Sequence, residues 1–145
     1  MNKNNHYKKL ENIYYKASFN MMLKPEITIS EKKCEIKSFF SDKVHHAAAA
    51  AHGAMIFKTL DDAAYFAANS IEFEEFLVTV SYNIQFVRPV FNEEIFSIGT
   101  VIEQNRHHII AESKSLNRDG KKVAFGIGTF TKSNIKLDSL KYYKL

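Results

Sequence analysis

The stretch HGAMIFKTLDDAAYFAANSIEFEEFLVTVSYNIQFVRP, residues 52–89, decides the fold through its change of period. Its first half is apolar and rich in alanine. Together with the preceding run Ala47–Ala51 it reads as one long helix from about residue 50 to 69, stopped at Asn69–Ser70. Its second half alternates. Val78, Val80, Tyr82, Ile84 and Phe86 fall on one face and Thr79, Ser81, Asn83 and Gln85 on the other. That pattern predicts a strand over 76–87, broken by Pro89. Two carboxylates, Asp61 and Asp62, stand in the middle of the helix that composition marks as the most buried.

Outward from this stretch the pattern is mostly extended. EIFSIGTVIEQ (94–104), RHHIIAESKSLN (106–117) and KKVAFGIGTFTKS (121–133) read as further strands, with NRDG (117–120) as a tight hairpin turn. Upstream, EITISEKKCEIKSFF (26–40) is an extended segment with a turn near Glu31–Lys33. HYKKLENIYYKASFNMML (6–23) is a leading helix with Leu10, Ile13, Tyr14 and Ala17 on one side, ended by Pro25. The tail KLDSLKYYKL (136–145) carries no assignable pattern. Hairpin-length connections imply an antiparallel sheet, and a helix roughly 30 Å long must bury its apolar face on it. The fold class is therefore α+β, one long central helix wrapped by a curved antiparallel sheet. Residues 1–25 form an N-terminal extension, and 26–145 a single domain.

A chain of 145 residues is long enough for one domain with a real core. The single cysteine, Cys34, allows no intrachain disulfide, which fits a reducing compartment, and it reads as a small packed residue. The N-terminus has no apolar signal region, and no run approaches the roughly 18 apolar residues of a membrane span. The expected location is the cytoplasm, with no membrane partner. The net charge of +4 comes from scattered basic residues without interleaved aromatics, so no nucleic-acid partner is expected.

The ordered residues resemble the hotdog fold, and within it the small acyl-CoA thioesterases of the phenylacetate-pathway and 4-hydroxybenzoyl-CoA type. That family has a His-Gly-Gly opening the central helix and an acid nine positions after the His. A Ser or Thr follows on the next strand, which ends in proline. Here His52-Gly53 opens the helix, Asp61 follows His52 by nine residues, and Thr79 precedes Pro89 by ten. NRDGKKVAFGIGTFTK is similar to the family's final hairpin. The resemblance spans about residues 40–135. Two positions depart from it. The family's second glycine is Ala54, and its Asn, six residues before the His, is His46, a side chain that also donates but titrates near neutrality.

The resemblance implies thioester hydrolysis, and the residue types suit it. A helix N-terminus offers unpaired N–H groups and a positive dipole end, so the Gly53 N–H can polarise a carbonyl. Asp61 shares a stripe with Gly53, Phe57, Ala64 and Ala68 and is the candidate nucleophile or general base. Asp62 is turned away and reads as structural. Thr79 is expected beside Asp61, and His46 and His52 on the Gly53 side. Eight residues of helix separate Gly53 from Asp61, about 12 Å, so one helix cannot bring both to one reacting centre. The site must join Gly53 of one chain to Asp61 of another. A homodimer with two antiparallel helices does this, and a homotetramer is open to it.

The acyl tunnel is expected to be lined by Phe57, Tyr65, Phe66 and Tyr82. Arg88, Arg118, Lys121 and Lys122 are the basic residues expected to meet coenzyme A phosphates. The substrate is an acyl-CoA or an acyl carrier protein thioester, with no cofactor beyond the coenzyme A it carries. No metal is expected, since the adjacent His45 and His46 cannot both point at one ion with His52. Two other functions remain on this fold: an acyl dehydratase or hydratase, which needs a His paired with an acid, and a non-catalytic acyl-CoA or acyl carrier protein binder.

Overall fold

The computed structural model describes residues 2–145. Helix α1 (Lys3–Lys16) begins where the Asn2 side chain accepts from the Asn4 N–H. It is shorter than the leading helix the periodicity predicts. Ala17 is already extended, and Ser18–Leu23 tighten into a 3-10 helix that ends at Lys24 in the left-handed region. The Asn20 side chain donates to the Tyr14 carbonyl at 2.8 Å, which closes α1 and turns the chain.

The strands are β1 (Glu26–Ser30), β2 (Lys33–Phe40), β3 (Glu75–Phe86), β4 (Glu93–Gln104), β5 (Ile109–Leu116) and β6 (Lys122–Lys136). They form one six-stranded sheet in the order β1-β2-β4-β5-β6-β3, every pairing antiparallel. The central helix α2 (Gly53–Asn69) lies across it. This is the hotdog arrangement. Small residues set the distance between helix and sheet. Ala63, Ala64, Ala67 and Ala68 are fully buried, and a Cβ on Gly99 of β4 would sit 2.0 Å from the Ala63 carbonyl oxygen. The helix backbone rides directly on the strand there. Leu60, Phe40, Ile95 and Val123 fill the core under the start of α2, and Leu10, Ile36, Leu77 and Phe130 under its end.

The alanine run is not helical. His45 pairs with Ala51, the His46 N–H donates to the Ala50 carbonyl at 2.8 Å, and Ala49 sits at φ 59°. The Ala51 and His52 N–H groups donate to the carbonyls of Val90 and Val44, both at 2.8 Å. Alanine's helical advantage is only a few tenths of a kcal/mol over most residues, and these long-range hydrogen bonds outweigh it. His52 then caps α2, its Nδ1 accepting from the Ala54 N–H at 3.0 Å.

Strand β3 departs from simple alternation. A bulge between Thr79 and Ser81 inserts one residue against β6. Thr79 therefore faces the helix together with Tyr82 and Ile84, whereas Val78 and Val80 are 41% and 56% exposed. The tail also finds a place. β6 runs on to Lys136, a 3-10 turn follows at Leu137–Ser139, and Tyr143 is buried. Among the described residues, no helix is long and apolar enough to cross a membrane.

Candidate functional site

Asp61 is half-buried on the side of α2 that meets strand β3. Its Oδ1 accepts from the Thr79 hydroxyl at 2.9 Å. The β3 bulge makes this contact possible by turning Thr79 toward the helix. Burial pushes the Asp61 carboxyl above its ordinary range; the Thr79 hydrogen bond opposes this, the Asp62 charge adds to it, and Lys58 opposes it. A carboxylate held in this way is a better base than a solvated one.

Asp62, one residue on, is occupied differently. Lys58 Nζ donates to its Oδ2 and, at 2.6 Å, to Asn20 Oδ1. The same ammonium stands 5.7 Å from the Tyr14 ring centroid and 5.2 Å from that of Phe19. Burial pushes the Asp62 carboxyl above its ordinary range, and Lys58 and the nearby Tyr14 oppose this. Asp62 thus ties α1 and the 3-10 helix to α2.

Asp61 and Thr79 open onto a pocket of about 520 Å³ with Tyr65, Phe66, Phe76 and Leu140 on its wall. A second pocket of about 340 Å³ lies at the other end of α2, lined by His46, Gly53, Phe86 and Arg88. Gly53 is the first residue of the helix, so no carbonyl of that helix reaches its N–H. The Phe86 ring crosses it closely: a Cβ on Gly53 would sit 3.1 Å from Phe86 Cζ. The rings of His46 and His52 serve the backbone, their Nδ1 atoms accepting from the N–H groups of Ala48 and Ala54, both at 3.0 Å. One chain therefore holds an acid half and a helix-terminus half, separated by about 12 Å of helix.

Tyr65 and Phe66 reach the acid pocket; Phe57 and Tyr82 line neither pocket. Their rings meet edge to face at 5.4 Å. Ser113 donates to the Leu60 carbonyl at 2.7 Å, so the Tyr82 hydroxyl donates to Ser113, and burial pushes its pKa up to about 12. This pair packs helix to sheet. Arg88 donates to the Lys122 carbonyl at 2.7 Å, beside the Gly53 pocket. Arg118 and Lys121 are exposed in the β5–β6 turn, which Asn117 organises by accepting from the Asp119 and Lys121 N–H groups. Tyr14, Phe76, Leu140 and Tyr142 line the acid pocket although the sequence pattern singles out none of them as substrate contacts. Only Tyr14 carried a signal, its place on the apolar side of the leading helix. Among the described residues, no group of three His, Cys, Asp or Glu side chains is placed to hold a metal ion.

The profile of the thioesterase superfamily matches residues 49–124, more than half of the chain, and the protein belongs to that family. The match takes in Gly53, Asp61 and Thr79 and leaves out α1 and the tail. Among curated proteins, no sequence matches this chain. Solved structures share its fold at low identity. The Escherichia coli PaaI protein, from the phenylacetic acid degradation operon, is 18% identical with a TM-score of 0.84, covering 92% of this chain and 97% of its own. A phenylacetic acid degradation-related protein of Ralstonia eutropha is 18% identical with a TM-score of 0.73, covering 79% and 89%. A Streptococcus mutans protein solved bound to acetyl-CoA is 16% identical with a TM-score of 0.70, covering 75% and 88%.

Proposed function

We propose that this protein is an acyl-CoA thioesterase acting as a homodimer. The observation that carries the reading is the Asp61–Thr79 pair on the wall of an apolar pocket, at a fixed distance along α2 from the unpaired Gly53 N–H. Asp61 serves as nucleophile or general base, and the Gly53 N–H stabilises the oxyanion that forms on the thioester carbonyl. Thr79 orients the carboxylate or the attacking water. His46 and His52 stand at the oxyanion end.

The two halves meet when two copies pair about a two-fold axis, with their α2 helices side by side and antiparallel. Strand β3 supports this reading. It is twelve residues long, lies at the edge of the sheet and exposes Val78 and Val80. A long apolar edge of this kind is a template for pairing. Arg88, on the wall of the Gly53 pocket, would meet coenzyme A phosphates, with Lys122, whose carbonyl accepts from it, and Arg118 and Lys121 in the turn beyond. The acetyl-CoA found in the Streptococcus mutans relative supports the acyl-CoA class.

The test is thiol release from a panel of acyl-CoAs and acyl carrier protein thioesters, with Asp61→Ala alongside. Turnover of acyl-CoAs that the substitution abolishes, in a folded protein that sediments as a dimer, is the expected result. Turnover that survives Asp61→Ala, or its absence on every substrate, overturns the assignment.

A further inference from the structure

The pocket beside Asp61 is not built by the helix and sheet of the family-matched region alone. Its outer wall comes from the two ends of the chain. Ile13, Tyr14 and Ala17 of α1 and its cap close it on one side, and Leu140 and Tyr142 of the tail on another. All five lie outside the residues that match the thioesterase superfamily, 49–124.

This wall is anchored. Tyr14 is 3% exposed, its ring meets Phe66 edge to face at 5.3 Å, and the Lys58 ammonium stands 5.7 Å from its centroid. The two chain ends are also tied to each other and to the end of α2. His6 is fully buried, with Nε2 donating to the Asn69 carbonyl at 2.9 Å. Its Nδ1 then accepts from the Tyr143 hydroxyl. Asn12 Nδ2 donates to the Lys144 carbonyl at 2.6 Å, and Lys9 Nζ stands over the Tyr143 ring at 4.8 Å. The wall is mostly apolar where it faces the pocket, with Asn20 and Lys141 as its polar members, and it stands next to the carboxylate assigned to the chemistry.

We propose that this wall selects the acyl group: the pocket takes an apolar acyl chain or ring larger than acetyl, and Ile13, Ala17, Leu140 and Tyr142 determine how large. The proposal rests on the thioesterase reading for its link to turnover, but not for the occupancy of the pocket. Each methylene buried in such a pocket favours binding about fourfold, so an acyl group several carbons longer than acetyl is favoured strongly enough to be read in kcat/KM.

The experiment compares wild type with Ala17→Trp and Leu140→Trp, two separate ways of filling the pocket, each checked for its fold by circular dichroism. Ala17 is exposed at the end of α1, so bulk is added there without displacing the core. Substrates are acetyl-CoA, octanoyl-CoA and phenylacetyl-CoA. The expected result is a tenfold or greater loss of kcat/KM for the two larger acyl groups in the filled variants, with acetyl-CoA changed less than threefold. Equal loss on all three, or none on any, overturns the proposal. Binding of the neutral probe octanamide, measured by calorimetry, is independent of turnover. Octanamide bound by wild type and lost in the filled variants supports the pocket even if no thioester is hydrolysed, in which case only the catalytic reading falls. Octanamide bound no better than acetamide by wild type overturns the pocket itself.

Discussion

The Thr79 hydroxyl donates to Asp61 Oδ1 at 2.9 Å across the gap between strand β3 and helix α2. The contact depends on a bulge that reverses the facing of Thr79. It places a polar group against a carboxylate that burial has made costly to ionise. The hydrogen bond favours the charged form, so Thr79 sets how basic Asp61 becomes.

Thr79→Val follows directly. Removing the donor removes an interaction that lowers the Asp61 pKa, so the pKa rises further. If Asp61 is the base, the acid limb of the pH–rate profile reports its ionisation and moves to higher pH. Thr79→Ser keeps the donor and leaves the limb in place. The check is kcat/KM for one acyl-CoA across pH in all three proteins.

Asp61→Asn separates chemistry from stability. The isostere still accepts from Thr79 but cannot act as base or nucleophile, and turnover falls by about 10²–10⁴-fold. Because burial raises the folded-state pKa above the unfolded one, the ionised carboxylate opposes folding once the pH exceeds the unfolded value. Asp61→Asn is therefore at least as stable as wild type at pH 7, and its advantage shrinks as the pH falls from the raised folded-state pKa toward the ordinary carboxylate value and is gone below it. Urea unfolding at pH 7 and pH 3 reads both.

Much of the fold is legible in the chain because period reports burial. The change from 3.6 to 2 at residue 70 marks helix and strand, and Asn-Arg-Asp-Gly marks the last hairpin. What escapes reading is set by distant partners. Ala47–Ala51 look helical because alanine is, yet Val44, His45 and Val90 hold that segment and the cap residue His52 out of the helix. The bulge at Thr79 leaves no signature in an alternating strand, so alternation alone puts Thr79 on the wrong face, and only the family resemblance sets it beside Asp61. Phe57 and Tyr82 have the right character for a tunnel but meet each other. The wall of the acid pocket is supplied by residues more than a hundred positions apart, Tyr14 and Leu140, and no local pattern encodes that.

Lys58 and Asp62 form a nearly buried pair, with side chains 10% and 19% exposed. Removing one partner strands the other charge, a loss of roughly 3–5 kcal/mol for a fully buried pair and somewhat less here. Lys58→Met and Asp62→Leu each destabilise strongly, whereas the double variant recovers most of the loss. Denaturant midpoints of the three variants give the coupling.

Gly53→Ala tests the helix-terminus half. Phe86 Cζ lies 3.1 Å from where the new Cβ would stand, so ring or helix must shift. If the Gly53 N–H is the oxyanion donor, displacing it costs kcat about 10²-fold, within the range for losing one such group. The same substitution in a Phe86→Leu background meets a smaller side chain, and its penalty falls. A double-mutant cycle on kcat separates the two causes. A penalty that is unchanged by Phe86→Leu points instead to the methyl blocking the approach of the thioester carbonyl, which places the oxyanion against the face of Gly53 and makes its lack of a side chain the functional property.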